Sequence, residues 1–167
     1  MNRIVKALMK VYVFLFIKTR RIKWPVESRD EYDCDMQTFK KKIMEFPYKS
    51  DPLGGFIDYV AEPDDFWKKD RTYGRDCDDW ARMWSIWGVY HGFIATEWIV
   101  CNPKKLFKTM HVITVLEKNG EWYLMNYYAY GPFSSEKDAL NMMERFSEYK
   151  GNIISVRSVT LQEEGKK

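Results

Sequence analysis

The stretch Gly74-Arg-Asp-Cys-Asp-Asp-Trp-Ala-Arg-Met-Trp84 sets one of the chain's three cysteines among aspartates, directly before an aromatic-rich helical pattern. Trp80, Met83, Trp84 and Trp87 recur at helical spacing, which predicts a helix over about Asp78 to Tyr90 with one apolar stripe. Gly88 and Gly92 bracket its end. Asp76 is placed to be its N-cap, with Asp79 three residues on and acids in the first turn, where unsatisfied N–H groups favour negative charge. Cys77 therefore stands at a helix start.

Working outward from this helix, the pattern changes character. Upstream, Met36 to Phe46 reads as a helix stopped by Pro47, Asp51-Pro-Leu-Gly-Gly55 is turn chemistry, and Glu62-Pro63-Asp64-Asp65 opens a short helical piece. Downstream the apolar period becomes two. Phe93 to Val100 and His111 to Glu117 are strand candidates. Asn119-Gly120, the strongest hairpin signal, joins the second of these to Trp122–Tyr128. Ser135 can cap a helix over Glu136–Tyr149, and Ile153–Thr160 closes the chain with one more strand. Helices followed by antiparallel strands make an α+β fold, with the Cys77 helix packed on the sheet.

The 167 residues, 46% hydrophobic and 17% aromatic, suit one folded domain rather than a disordered chain. We place that domain over residues 34–167, after an N-terminal segment 1–33. Ile4, Leu8, Val11, Tyr12 and Leu15 make that segment's start an amphipathic helix, and the run from Trp24-Pro25 to Asp33 its linker. The apolar stretch from Val11 to Ile17 is far too short to span a bilayer, and Lys6 and Lys10 spoil it as a signal peptide. Residues 1–23 can pack on the domain or touch a membrane peripherally. A net charge of +3 gives no argument for nucleic acid, and the basic clusters before residue 50 read as solvated helix faces. Cys34, Cys77 and Cys101 form no CxxC pair and no zinc spacing, which suits free thiols in a reducing compartment such as the cytoplasm.

A thiol attacks as thiolate, and its ordinary pKa is about 8.5. A helix start lowers that value, whereas Asp76 and Asp78 beside Cys77 raise it. Activation then needs a partner brought in by the fold, and the chain has two histidines. His91 lies at the far end of Cys77's own helix, about 20 Å away at about 1.5 Å per residue. His111 begins a strand of the hairpin. Across the Asn119-Gly120 turn it faces roughly positions 127 to 129, so Asn126 falls within a residue or two of it, where an amide oxygen can orient the ring. The aromatics around Trp80–Trp87 and Tyr127–Tyr130 read as core, with the tyrosines nearest the hairpin end placed to line a cleft.

These residues carry a likeness. Asp51, Gly55, Asp58-Tyr59 and Pro63, then Gly74-Arg-Asp-Cys-Asp-Asp-Trp-Ala81, then His111 and Trp122-Tyr-Leu-Met-Asn126, resemble the bacterial transglutaminase-like cysteine proteinases of the papain-like/transglutaminase-like superfamily. The likeness spans roughly Tyr48 to Tyr130. It implies a papain-like core with Cys77 as nucleophile, His111 as general base and acid, and Asn126 as orienter. It further implies thiol-dependent acyl transfer on a peptide or protein amide with no required cofactor, and a calcium ion at Asp76 and Asp78 in some members. The Cys77 N–H is a candidate oxyanion donor; Gln37, Trp67 and Tyr73 are candidates for a second. Three positions depart from the pattern: Arg75 interrupts the motif, Val60 replaces tryptophan, and Asn126 replaces the more usual aspartate. Two other readings stand beside this one. An NlpC/P60-type peptidoglycan amidase also starts a helix with cysteine, but it favours Asp-Cys-Ser-Gly. A papain-like fold kept as a non-catalytic binding module, recruited through its N-terminal arm, needs no activated thiol.

Overall fold

In the computed structural model, residues 22–23, 25, 28–49, 62–69, 75–101, 110–145, 153–159 and 161–162 are described. The amphipathic N-terminal helix, the Asp51–Gly55 turn, Asp58, Tyr59, Val60, Tyr73 and Gly74 lie outside them. In chain order the elements are β1 (Ile22–Lys23), a 3-10 turn (Arg29–Tyr32), α1 (Met36–Met44), α2 (Pro63–Phe66) and α3 (Cys77–Tyr90). There follow β2 (Ile94–Cys101), β3 (Met110–Lys118), β4 (Glu121–Met125), β5 (Ala129–Phe133), α4 (Glu136–Arg145), β6 (Ile153–Ser158) and β7 (Leu161–Gln162). The fold is α+β. Strands β2 to β6 form one five-stranded sheet in the order β5-β4-β3-β2-β6, antiparallel throughout, and β1 pairs with β7 in parallel.

Local chemistry explains most boundaries. Asp35 caps α1, its carboxylate accepting from the N–H groups of Gln37 at 2.9 Å and Thr38 at 3.1 Å. Asn119 and Gly120 both take positive φ, 56° and 81°, the backbone that a two-residue hairpin turn demands. α3 ends on Gly92 at φ 76°, with Phe93 N–H donating to Gly88 O at 2.8 Å and Gly92 N–H to Val89 O at 3.0 Å. Gly88 is thus not a terminator but part of the helix.

Two expectations are corrected by the packing. Every residue of α3 from Asp79 to Gly88 is buried, so the helix has no solvated face opposite a single apolar stripe. Its large side chains meet an aromatic layer: Phe39 packs on Trp84 at 5.1 Å and on Trp87 at 5.9 Å, and Phe66 meets Trp80 at 6.4 Å. Its small residues Ala81, Ser85 and Gly88, at helical spacing, meet the sheet instead. Thr114 on β3 donates its hydroxyl to Ala81 O at 2.6 Å and lies 3.1 Å from Ser85 Oγ, while Ser85 also donates to the buried Glu97 at 3.3 Å. The second correction concerns residues 28–33, expected as linker. They hold the 3-10 turn, and Tyr32 is fully buried against Phe39 and Trp67, so packing begins before residue 34.

The hairpin's second strand also ends sooner than expected. β4 stops at Met125 rather than Tyr128; the chain turns over residues 126–128 and returns as β5, which no periodicity announced. The other sheet face carries Trp98, Val100, Ile113, Val115 and Leu124, and Met143 and Leu140 of α4 close over them. Among the described residues no helix is long and apolar enough to cross a membrane.

The close approach of α3 to the sheet gives a direct test. A Cβ on Gly88 would run into the Leu116 side chain, whose Cγ lies 3.3 Å from that position. Gly88→Ala is expected to destabilise by about 1–2 kcal/mol, the overpacking cost less the gain in helix propensity. The same change in a Leu116→Ala background should cost less than in the parent, measured by urea unfolding as a double-mutant cycle.

Candidate active site

Cys77 is the first residue of α3 and is half-buried. Its backbone position is set two residues earlier, at Arg75. Arg75 pairs with Lys49 as a β-bridge, N–H to O at 3.2 Å in both directions. Its guanidinium is buried, donating from Nε to Phe66 O at 3.1 Å and from Nη2 to Lys68 O, with Phe46 4.7 Å and Phe66 5.9 Å from its Cζ. The arginine that interrupts the motif in sequence is therefore what ties the helix start to α1's exit and to the segment after α2. Carbonyl oxygens and ring faces satisfy the buried charge.

Asp76 occupies the N-cap position at φ −94°, ψ −159°, and its carbonyl accepts from Trp80 N–H at 3.1 Å. Its carboxylate makes no capping hydrogen bond, contrary to expectation. The carboxylate oxygens of Asp76, Asp78 and Asp79 instead converge within 4.8 Å of one another. Asp79, fully buried, joins the expected Asp76 and Asp78; the sequence placed it only in the first turn, because helical phase alone does not say where three acidic side chains meet.

On the sheet side, His111 is buried near the start of β3, and Asn126 opens the turn after β4. The β3–β4 ladder closes at Thr114–Met125, and beyond it the side chains meet: His111 Nε2 lies 2.7 Å from Asn126 Oδ1. An amide oxygen only accepts, so Nε2 carries the proton and Nδ1 keeps the basic lone pair. Tyr127 covers this pair, its ring centroid 5.9 Å from that of His111 and 5.5 Å from that of Trp80. The ring beside the imidazole was legible only as membership of an aromatic cluster, since its orientation depends on the 126–128 turn.

Cys77 meets β3 at Val112, the residue after His111. The backbone N–H of Val112 reaches the Cys77 sulfur, as does the N–H of Cys77 itself, and both favour thiolate. Burial outweighs them and pushes the thiol well above its ordinary range, with Asp76 and Asp78 adding to the shift. The other candidates fall elsewhere. His91 sits at the far end of α3, its Nε2 3.0 Å from Tyr32 O and its ring 4.4 Å from Trp87. Trp67 donates to Tyr32 Oη at 3.4 Å within the aromatic layer, and Gln37 is exposed in the first turn of α1. Cys34 donates to Glu31 O at 3.5 Å, away from the constellation.

The electrostatics fix the sign of a test at Asp78. Asp78→Asn removes a negative charge that raises the thiol pKa, so the thiolate fraction at neutral pH should rise. Alkylation of Cys77 by iodoacetamide at pH 7 is expected to quicken about two- to fivefold, the size of one partly exposed charge interaction, with the pH–rate curve shifted to lower pH. An unchanged curve would show that these acids do not control the sulfur. Comparison of the chain with protein-family models, curated proteins and solved structures found no match, so the chemistry of this site rests on its geometry.

Proposed function

We propose that the chain performs thiol-dependent acyl transfer on a peptide or protein amide, through Cys77, His111 and Asn126. The observation that carries this reading is the 2.7 Å contact between His111 Nε2 and Asn126 Oδ1, made next to the backbone that touches the Cys77 sulfur. Asn126 fixes the tautomer in which His111 can take the thiol proton at Nδ1. The sulfur then adds to the amide carbonyl carbon, and the carbonyl oxygen becomes an oxyanion near the α3 N-terminus, where the Cys77 N–H can donate. The C–N bond breaks as His111 returns its proton to the leaving nitrogen, and water attacks the resulting thioester to release the acid. A helix-borne cysteine facing an antiparallel sheet that carries histidine and amide is also the arrangement expected of a papain-like/transglutaminase-like core.

Preferential labelling of Cys77 over Cys34 and Cys101 by an electrophilic thiol probe, mapped by mass spectrometry, tests the proposal. His111→Ala should slow Cys77 labelling at pH 7 at least about tenfold, in keeping with loss of a general base. Equal labelling of all three cysteines, indifferent to His111, would sink the reading and leave the binding module standing.

The raised thiol pKa favours a second element. Three carboxylates within 4.8 Å of one another are hard donors suited to a divalent cation such as Ca²⁺. Asp76, Asp78 and Asp79 would hold it, and its charge would offset the anions that oppose thiolate formation. With the ion bound to the folded form only, millimolar Ca²⁺ should raise the melting temperature and EDTA reverse it, and Asp79→Asn should abolish the shift. An identical melting temperature in Ca²⁺ and EDTA would remove the cation from the proposal.

A further inference from the structure

The turn that carries Asn126 presents a second feature. Asn126 N–H donates back to Tyr128 O at 3.0 Å, which turns Tyr127 inward against His111 and leaves Tyr128 51% exposed. Tyr48, 53% exposed, meets Tyr127 edge-on at 6.0 Å. Large rings left in solvent are a cost that a monomeric domain rarely repeats at one place, and these two flank the ring that covers the candidate base. Lys40 on α1 sets its ammonium 5.2 Å from the Tyr128 ring centroid. Its neighbour Lys42 is engaged by Glu31 at 2.9 Å, whereas Lys41 is exposed, and α1 itself contains no acid.

The site carries charges of both signs. Three carboxylates gather at the sulfur's helix, and an ammonium with exposed tyrosine rings stands at the imidazole's turn. The amide nitrogen that receives the His111 proton must come to the imidazole, so the leaving segment of a substrate lies along this turn. We propose that Tyr48, Tyr128 and Lys40 form a specificity shelf for the leaving segment of a polypeptide substrate, and that the shelf selects an acidic residue there. This rests on Cys77 being the nucleophile. Lys40 supplies the charge complement, while the rings offer flat apolar area for the flanking chain. A lysine in the same position would meet the Lys40 charge instead, and a neutral side chain would gain only the rings.

The test uses the full chain and three peptide fumaramide electrophiles. They differ only in the residue beyond the reactive alkene, on the side of the leaving segment: Glu, Gln or Lys. Iodoacetamide, which has no recognition residue, supplies the reference rate for each variant. The Glu probe should label Cys77 about fivefold faster than the Lys probe, the effect of one exposed charge interaction, with Gln between them. Lys40→Glu should reverse the order, and Tyr128→Ala should lower the Glu-probe rate relative to iodoacetamide. Equal rates for Glu and Lys, or an order untouched by Lys40→Glu, would overturn the shelf. If His111→Ala still slows all three probes in that case, only the shelf falls; if labelling ignores His111, the nucleophile reading falls with it.

Discussion

The distance between α3 and the sheet governs the rest of the structure. Ala81, Ser85 and Gly88 leave no bulk between helix and strand, so a threonine hydroxyl on β3 can reach a helix carbonyl at 2.6 Å. A helix held that tightly has its N-terminus fixed against one strand rather than hovering over several. Since the strand is β3, the residue at the helix start falls beside Val112, and His111 comes with it. The tryptophans on the other side of α3 press it inward from the aromatic layer. The geometry around Cys77 is a consequence of the sizes of side chains that lie outside the candidate site.

Electrostatically the site is a contest. The helix terminus and two backbone N–H groups support a thiolate, while burial and the neighbouring acids oppose it. Most nucleophilic cysteines sit in electropositive surroundings. At Cys77 burial and two carboxylates raise the thiol pKa instead, so the proposed reaction depends on proton removal by His111 and on what screens the carboxylates.

Much of this was legible in the sequence, in places where local chemistry decides. Asn119-Gly120 dictated the hairpin, the hairpin dictated which residues of two strands come near each other, and His111 met Asn126 accordingly. Signals failed where tertiary packing overrides local pattern. Ala129–Phe133 contains Gly131-Pro132 and no alternation, and becomes a strand only because β4 offers it a partner edge. α3 looked amphipathic because a small residue facing a sheet gives the same pattern as a small residue facing water. Arg75 looked like an intrusive charge because no sequence rule anticipates three chain segments converging on one guanidinium.

That guanidinium also separates two properties that usually travel together. At most helix starts one carboxylate both holds the first turn and sets its charge, so altering the charge loosens the turn. Here the backbone before Cys77 is clamped by Arg75 and the Lys49 bridge, and Asp76 makes no cap. The charge around the sulfur can consequently vary, by protonation, cation capture or substitution, without moving the sulfur. Position and electrostatic surroundings of the Cys77 sulfur are independent settings in this protein.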